Sequence, residues 1–241
     1  MWPFKPGELF KINPHARATV VNDNPAIVVV DDFYEAPERI RDLVLATPCP
    51  IWKHNAQSRN FVDYYDCRHE LILDYIEPQM RMAELAHKHM RTRIPGITRH
   101  FRTNVFRLIN DQRASTQAHP HCDGPAIAAL VYLNLDEECS GGTAFYRHRR
   151  LQIEQLPREA DAYDHLSGQI FQGAEREDGT DYFHEWFPTW EPTHLVEMKF
   201  NRLLMWPGVA FHGAWHEHNS FKDTWRINQV VFFDGIEYLD A

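Results

Sequence analysis

The chain has few features of several common protein classes. Its four cysteines, at positions 49, 67, 122 and 139, include no C-x-x-C pair and form no compact framework. Free thiols in a reducing cytoplasm are therefore expected, not a disulfide scaffold. No stretch approaches the roughly 18 apolar residues of a membrane span. The opening MWPFKPGELFKINPHARATV places prolines and charges where a signal peptide needs an unbroken apolar run. Positive charge is also short: the formal net charge is −9, so no global field favours nucleic acid or an anionic membrane. The one basic cluster, Arg147, His148, Arg149 and Arg150, reads as a solvated turn. Internal repeats and low-complexity tracts are missing too.

What is present fits one globular domain. The 241 residues are 44% hydrophobic and 13% aromatic, enough for a well-buried core and too apolar for a disordered chain. Residues 1–25, rich in proline and polar groups, read as an irregular lead-in. Ala26–Val30 is a β-branched strand candidate, and Pro37 opens a helix with Ile40, Leu43 and Val44 at helical spacing. A second helical region is expected from about Glu70 to Met90, carrying Leu71, Met80, Leu85 and Met90, with a break or restart at Pro78. From about residue 99 to 236 the pattern changes to short strands. They include FRTNVFRLI, the apolar Ala126–Leu135, His194–Phe200, Arg202–Trp206 and Trp225–Phe233. Many short strands closed over long sequence distances predict a mainly β fold, a double-stranded β-helix of jelly-roll type, with the helices of about 26–98 packed outside.

The chemistry centres on His121-Cys122-Asp123. In an extended backbone rising about 3.3 Å per residue, alternate side chains share a face and lie about 6.5 Å apart at Cα. His121 and Asp123 can then converge on one ion while Cys122 points into packing. With a distal histidine they make the two-imidazole, one-carboxylate facial triad of non-haem Fe(II) oxygenases, which leaves sites open for oxygen and cosubstrate. Spacing alone is weak in a chain with 15 histidines, and a hydrogen-bonded His–Asp surface pair would look the same. His119, held extended by Pro120, is a rim candidate. For the distal ligand His212, His216 and His218 compete. His212 and His216 stand four apart like a zinc-protease pair, but the glutamate of H-E-x-x-H is missing because position 213 is glycine. Arg226 lies 226 − 212 = 14 residues beyond His212, in an apolar strand. A buried arginine calls for an anionic partner, and its planar fork suits a carboxylate. A structural partner such as Asp223 is the alternative.

The ordered run HPHCDGPAIAALVYLNLDEECSGGTAFYRHR, then NRLLMWPGVAFHGAW, then DTWRINQVVFF resembles the 2-oxoglutarate/Fe(II)-dependent dioxygenases, in their prolyl-hydroxylase-like branch. The shared features are H-x-D, a strand ending in Leu-Asn, a Gly-Gly turn before Phe-Tyr, and a distal histidine followed by a basic residue. The resemblance covers roughly residues 100–235, with a weaker match at AIVVVDDFYEAPERIRDLVLA. It implies an Fe(II) centre on His121, Asp123 and His212 and a 2-oxoglutarate carboxylate held by Arg226. Asn228 takes a place where family members often carry a hydroxyl residue. Tyr132, and Asn104 or Phe106 on the preceding strand, are implied to line the cosubstrate pocket. The expected reaction is hydroxylation of a C–H bond with release of succinate and CO2. The substrate is expected to be a small molecule, such as an amino acid or pathway intermediate, or else a protein residue. A non-catalytic metal-binding sensor module and a zinc hydrolase on the same ligands are the other readings. Residues 160–192, with Tyr163, Phe183, Trp186 and Trp190, are expected to be either a substrate-facing lid or a helix on the outside of the barrel.

Overall fold

The computed structural model describes residues 6–46, 63–66, 77–94, 101–109, 120–171, 189–215, 220–221 and 224–239. The short helix α1 (Pro6–Leu9) precedes β1 (Ala18–Asp23), β2 (Ala26–Val30) and α2 (Pro37–Ala46). Next come β3 (Asp63–Asp66), α3 (Glu77–Met90), β4 (Thr92–Arg93) and β5 (Phe101–Ile109). The remainder is β6 (Ile127–Tyr132), β7 (Gly142–His148), α4 (Ala160–Phe171), β8 (Trp190–Glu197), β9 (Leu203–Pro207), β10 (His212–Trp215), β11 (Arg226–Phe233) and β12 (Glu237–Tyr238).

Strand pairing defines the architecture. A seven-stranded sheet runs β1-β2-β9-β6-β11-β5-β3 and a three-stranded sheet runs β10-β7-β8, with every pairing antiparallel. Residue His121 bridges His212 and so adds a further short strand beside β10. From β5 onward the chain passes between the sheets: β5, β6, β9 and β11 in the large one, the His121 segment, β7, β8 and β10 in the small one. That alternation is a double-stranded β-helix.

Alternation along the strands divides the core. In β6, Ile127, Ala129 and Val131 join the cluster that α2 and α3 cover with Ile40, Val44, Met82, Leu85 and Met90. Their neighbours Ala128, Leu130 and Tyr132 face the space between the sheets, with Phe145, Val196, Leu204 and Trp206. A strand buried on both faces has to be continuously apolar, and β6 is. The outer face of the small sheet, with Ala144, Tyr146 and Phe211, is covered by Tyr163, Leu166 and Ile170 of α4.

Three details refine the sequence reading. Part of the supposed lead-in, Ala18–Asp23, is a strand at the sheet edge, where alternating side chains are half-buried. Pro78 stands in the first turn of α3, where its missing N–H costs nothing, in keeping with a helix restarting there; residues 70–76 lie outside the described residues. Met80 is 48% exposed, and Met82 takes the core position on that helix. Among the described residues no helix is long and apolar enough to cross a membrane.

Truncating Met82 to alanine removes a fully buried side chain from the helix–sheet contact. The expected loss is about 2–5 kcal/mol of stability, read by urea denaturation. A change well under 1 kcal/mol would contradict the packing role.

Candidate metal centre

Two backbone contacts bring the ligand-bearing segments together. His121 N–H donates to the His212 carbonyl, and His212 N–H donates to the His121 carbonyl, each at 2.9 Å. Directly paired residues point to the same face, and the two imidazole centroids lie 4.4 Å apart. Asp123 follows two residues on, its N–H donating at 2.7 Å to the carbonyl of Gly208. The Pro207-Gly208 turn thus positions the carboxylate as well as starting the approach to β10. No side chain fits at Gly208: a Cβ there would stand 2.7 Å from the Gly124 carbonyl oxygen and 3.3 Å from the Asp123 Cβ.

Three side chains converge here. One ligand atom from each of His121, Asp123 and His212 lies within 4.8 Å of the others. Asp123 Oδ2 is 3.1 Å from His212 Nε2, and Oδ1 is 4.0 Å from His121 Nε2. The His212 side chain is 6% exposed and that of His121 41%, so the group is buried at one side and open at the other. His212 Nδ1 lies 2.9 Å from the Ala210 carbonyl. A carbonyl only accepts, so Nδ1 carries the proton and Nε2 is left facing Asp123. This is the arrangement that fixes the tautomer of a ligating histidine. Burial pushes the Asp123 carboxyl upward, but the charge and hydrogen bond of His212, then the charges of His121 and Arg107, outweigh it. Its pKa falls from 3.8 to about 2.

Cys122 points the other way. Its Sγ is 3.4 Å from the Tyr163 hydroxyl on α4, and burial pushes the thiol pKa up, so it stays protonated and is no thiolate ligand. The described part of the 160–192 segment packs on the outside of the barrel: α4 lies against the His121–Asp123 segment, and Trp190 packs edge-on to Phe211 at 4.8 Å. Phe183 and Trp186 lie outside the described residues, as do His119, His216 and His218.

Arg226 opens β11 at 2% exposure. It faces the space between the sheets, on the same side as Asn228 and Val230. Its Nη2 donates to the Gly142 carbonyl at 3.0 Å, and its guanidinium carbon is 5.8 Å from the Tyr132 ring centroid. Its Nε is buried with no partner among the described residues, and so is Asn228 Oδ1. The alternative partner Asp223 lies outside the described residues. Burial pushes the Arg226 pKa down, with Tyr132 opposing. The Tyr132 hydroxyl is 2.7 Å from Thr143 Oγ1. The cradle is tight because Gly142 sits against β8: a Cβ there would be 2.0 Å from the Val196 carbonyl oxygen.

One reading on β5 needs correction. Phe106 belongs to the helix-covered core and stacks on Phe10 at 6.3 Å between centroids. Position 104 pairs with Val231 in the ladder; the Asn104 side chain is not among those described. Among the described side chains of β5, Arg107 is on the inward face, directly opposite Asn228, which is itself opposite Tyr132. The alternation of Phe106 and Leu108 in FRTNVFRLI was the signal for it. Arg107, and the hold of Gly208 on Asp123, are not read from the sequence, where Pro207-Gly208 serves only as the turn before His212.

Fold and site together define a double-stranded β-helix protein with a His-x-Asp…His group able to hold a metal ion. The chain belongs to a family of unknown function, DUF6445, whose model matches residues 13–224. A search of curated proteins finds no match. Among solved structures it is similar to SnoN, a non-heme alpha ketoglutarate dependent epimerase from nogalamycin biosynthesis. That likeness has 16% identity and a TM-score of 0.47, over 89% of this chain and 81% of that one. HygX from Streptomyces hygroscopicus, solved with nickel, 2-oxoglutarate and hygromycin B, is 14% identical with a TM-score of 0.43, over 86% and 82%. The carbocyclase SnoK from nogalamycin biosynthesis is 13% identical with a TM-score of 0.41, over 88% and 81%. Likenesses this distant carry no argument about activity.

Two outcomes test the centre. Asp123→Ala should lose stoichiometric divalent metal, and Gly208→Ala should weaken metal binding about 10–100-fold by displacing a ligand's support; full retention in both rejects the assignment. In the metal-free protein the depressed Asp123 pKa is also a stability statement. The folded value lies below the unfolded one, so its contribution is complete above the ordinary carboxylate value of 3.8 and is lost as pH falls toward about 2. Asp123→Asn should remove that segment from an acid-denaturation curve; an unchanged curve contradicts the ion pair.

Proposed function

We propose that this protein is an Fe(II)- and 2-oxoglutarate-dependent oxygenase that hydroxylates a C–H bond. The observation that carries the reading is Arg226, a buried guanidinium whose Nε has no partner among the described residues, facing the same inter-sheet space as the triad. A lone buried charge is costly, and a carboxylate would satisfy it with charge-assisted hydrogen bonds. Two imidazoles and a carboxylate suit Fe(II) and leave positions free for other ligands. His121, Asp123 and His212 would hold the iron; Arg226, with Asn228 and Tyr132 beside it, would hold the far carboxylate of 2-oxoglutarate. Fe(II) with bound cosubstrate supplies O2-dependent oxidation of a substrate C–H bond, with conversion of 2-oxoglutarate to succinate and CO2.

The chain's own residues perform the remaining tasks. Ala210 holds the proton of His212 on Nδ1, so Nε2 offers a lone pair. Asp123 stays ionised across the physiological range and occupies a position that would otherwise be open to a further ligand. Phe145 and Trp206 pack beside His212, at 6.3 and 4.8 Å between centroids, and exclude water from its inner side. A small molecule, such as an amino acid or pathway intermediate, is the favoured substrate, with a protein residue second. The acidic net charge disfavours nucleic acid, and the free thiols of Cys122 and Cys139 suit a reducing cytoplasm. A zinc hydrolase or a metal-binding sensor could use the same triad, but neither needs an inward-facing carboxylate anchor.

Arg226→Ala is the direct test. It should bind Fe(II) normally and bind 2-oxoglutarate some tens to thousands of times more weakly, equivalent to about 2–5 kcal/mol. Anaerobic titration followed through the visible absorption of the ternary complex reads this out. Unchanged cosubstrate affinity rejects the proposal.

A further inference from the structure

Arg226 is the first residue of β11, and its support there is uneven. On one side it pairs with Ile109 of β5. On the other, the ladder to β6 ends at Asn228 opposite Tyr132. Strand ends without ladder partners fray, which would leave the guanidinium's origin poorly fixed. The side chain of Asn134 takes the place of the missing ladder.

Asn134 is fully buried, just beyond β6. Its Oδ1 accepts the Ile227 N–H at 2.7 Å, and its Nδ2 donates to the Trp225 carbonyl at 2.6 Å. One amide therefore grips the chain on both sides of Arg226 without touching the guanidinium. The Leu133 N–H adds a bond to the Ile227 carbonyl at 3.0 Å. Asn134 is held in turn: Glu138 Oε2 lies 3.4 Å from Nδ2 and accepts the Leu135 N–H at 3.1 Å, while Glu138 Oε1 accepts from Arg41 of α2 at 2.6 Å. The chain of contacts runs from an outer helix, through the Asp136–Glu138 turn, to the backbone that carries the carboxylate anchor.

We infer that Asn134 is a positioning residue for carboxylate binding, acting through the backbone on either side of Arg226, with Glu138 orienting its amide. This rests on the role given to Arg226 above. Serving only to stabilise the fold would lower stability without a selective effect on one ligand. Acting through Arg226 makes a sharper demand, because the two residues must then be thermodynamically coupled.

The experiment is a double-variant cycle on the full chain, with anaerobic 2-oxoglutarate titration of the Fe(II)-loaded protein and a separate metal titration. Asn134→Ala should weaken 2-oxoglutarate binding at least tenfold and leave metal affinity within about twofold. Placed in the Arg226→Ala background, the same change should cost less than twofold. An equal loss in both backgrounds, or no loss in the parent, overturns the inference. Should Asn134→Ala fail to fold, Glu138→Ala carries the comparison from the half-buried end of the network. It should weaken 2-oxoglutarate about two- to fivefold in the parent and not at all beside Arg226→Ala; any other pattern overturns the role. If Arg226→Ala alone leaves 2-oxoglutarate binding intact, the anchor itself is wrong, and a loss in Asn134→Ala would then have to arise elsewhere.

Discussion

The reciprocal pair of backbone hydrogen bonds between His121 and His212 is the contact on which the rest of the centre depends. It joins segments far apart in sequence and, because it is an antiparallel pairing, makes both imidazoles project to one face. Two residues further, the same extended backbone delivers Asp123 to that face and Cys122 to the opposite one. The ligand set therefore follows from strand geometry, with the Ala210 carbonyl and the Gly208 turn fixing what the pairing leaves adjustable. Helix α4 closes the back of the arrangement, and the three-stranded sheet can carry ligands on its inner face because its outer face is covered.

The second constraint is electrostatic. Space between two apolar sheets is unfavourable for a guanidinium, yet Arg226 lies there with only part of its hydrogen-bonding capacity used. A protein tolerates such a group when surrounding structure holds it in place and a ligand completes it. The support comes from Gly142, whose carbonyl accepts from the guanidinium, and from Asn134, which secures the backbone. Both sheets serve both parts of the proposed site: Arg226 of the large sheet rests on the Gly142 carbonyl of the small one, and Asp123, beside the small sheet, is held by the Gly208 turn that follows β9 of the large one.

Much of this was legible in the sequence because it depends on local pattern. H-x-D in an extended segment needs only period-two alternation, and the continuous apolar run of β6 announces a strand buried on both faces. Arg226 stands out as a charge among apolar residues. What was not legible depends on partners distant in sequence. Alternation in β5 sets Phe106 and Leu108 on the face opposite Arg107, and the pairing with β11 and the helix-covered cluster around Phe106 decide which face is inward. Gly208 looks like an ordinary turn glycine until Gly124 and Asp123 are seen against it. The edge strand β1 was taken for irregular chain because an exposed edge has no strong apolar signature.

Gly208 also determines how this centre can vary. Around most sites a substitution changes what the ligand meets and leaves the framework alone. Here the framework is keyed to an absent side chain: adding a single carbon at 208 moves the carboxylate. The outer surface of α4 can diversify freely, whereas that turn is closed to every residue with a Cβ. A descendant that abandoned the metal would be released from the restriction at once, so a bulky residue at 208 would serve as an early mark of a retired centre.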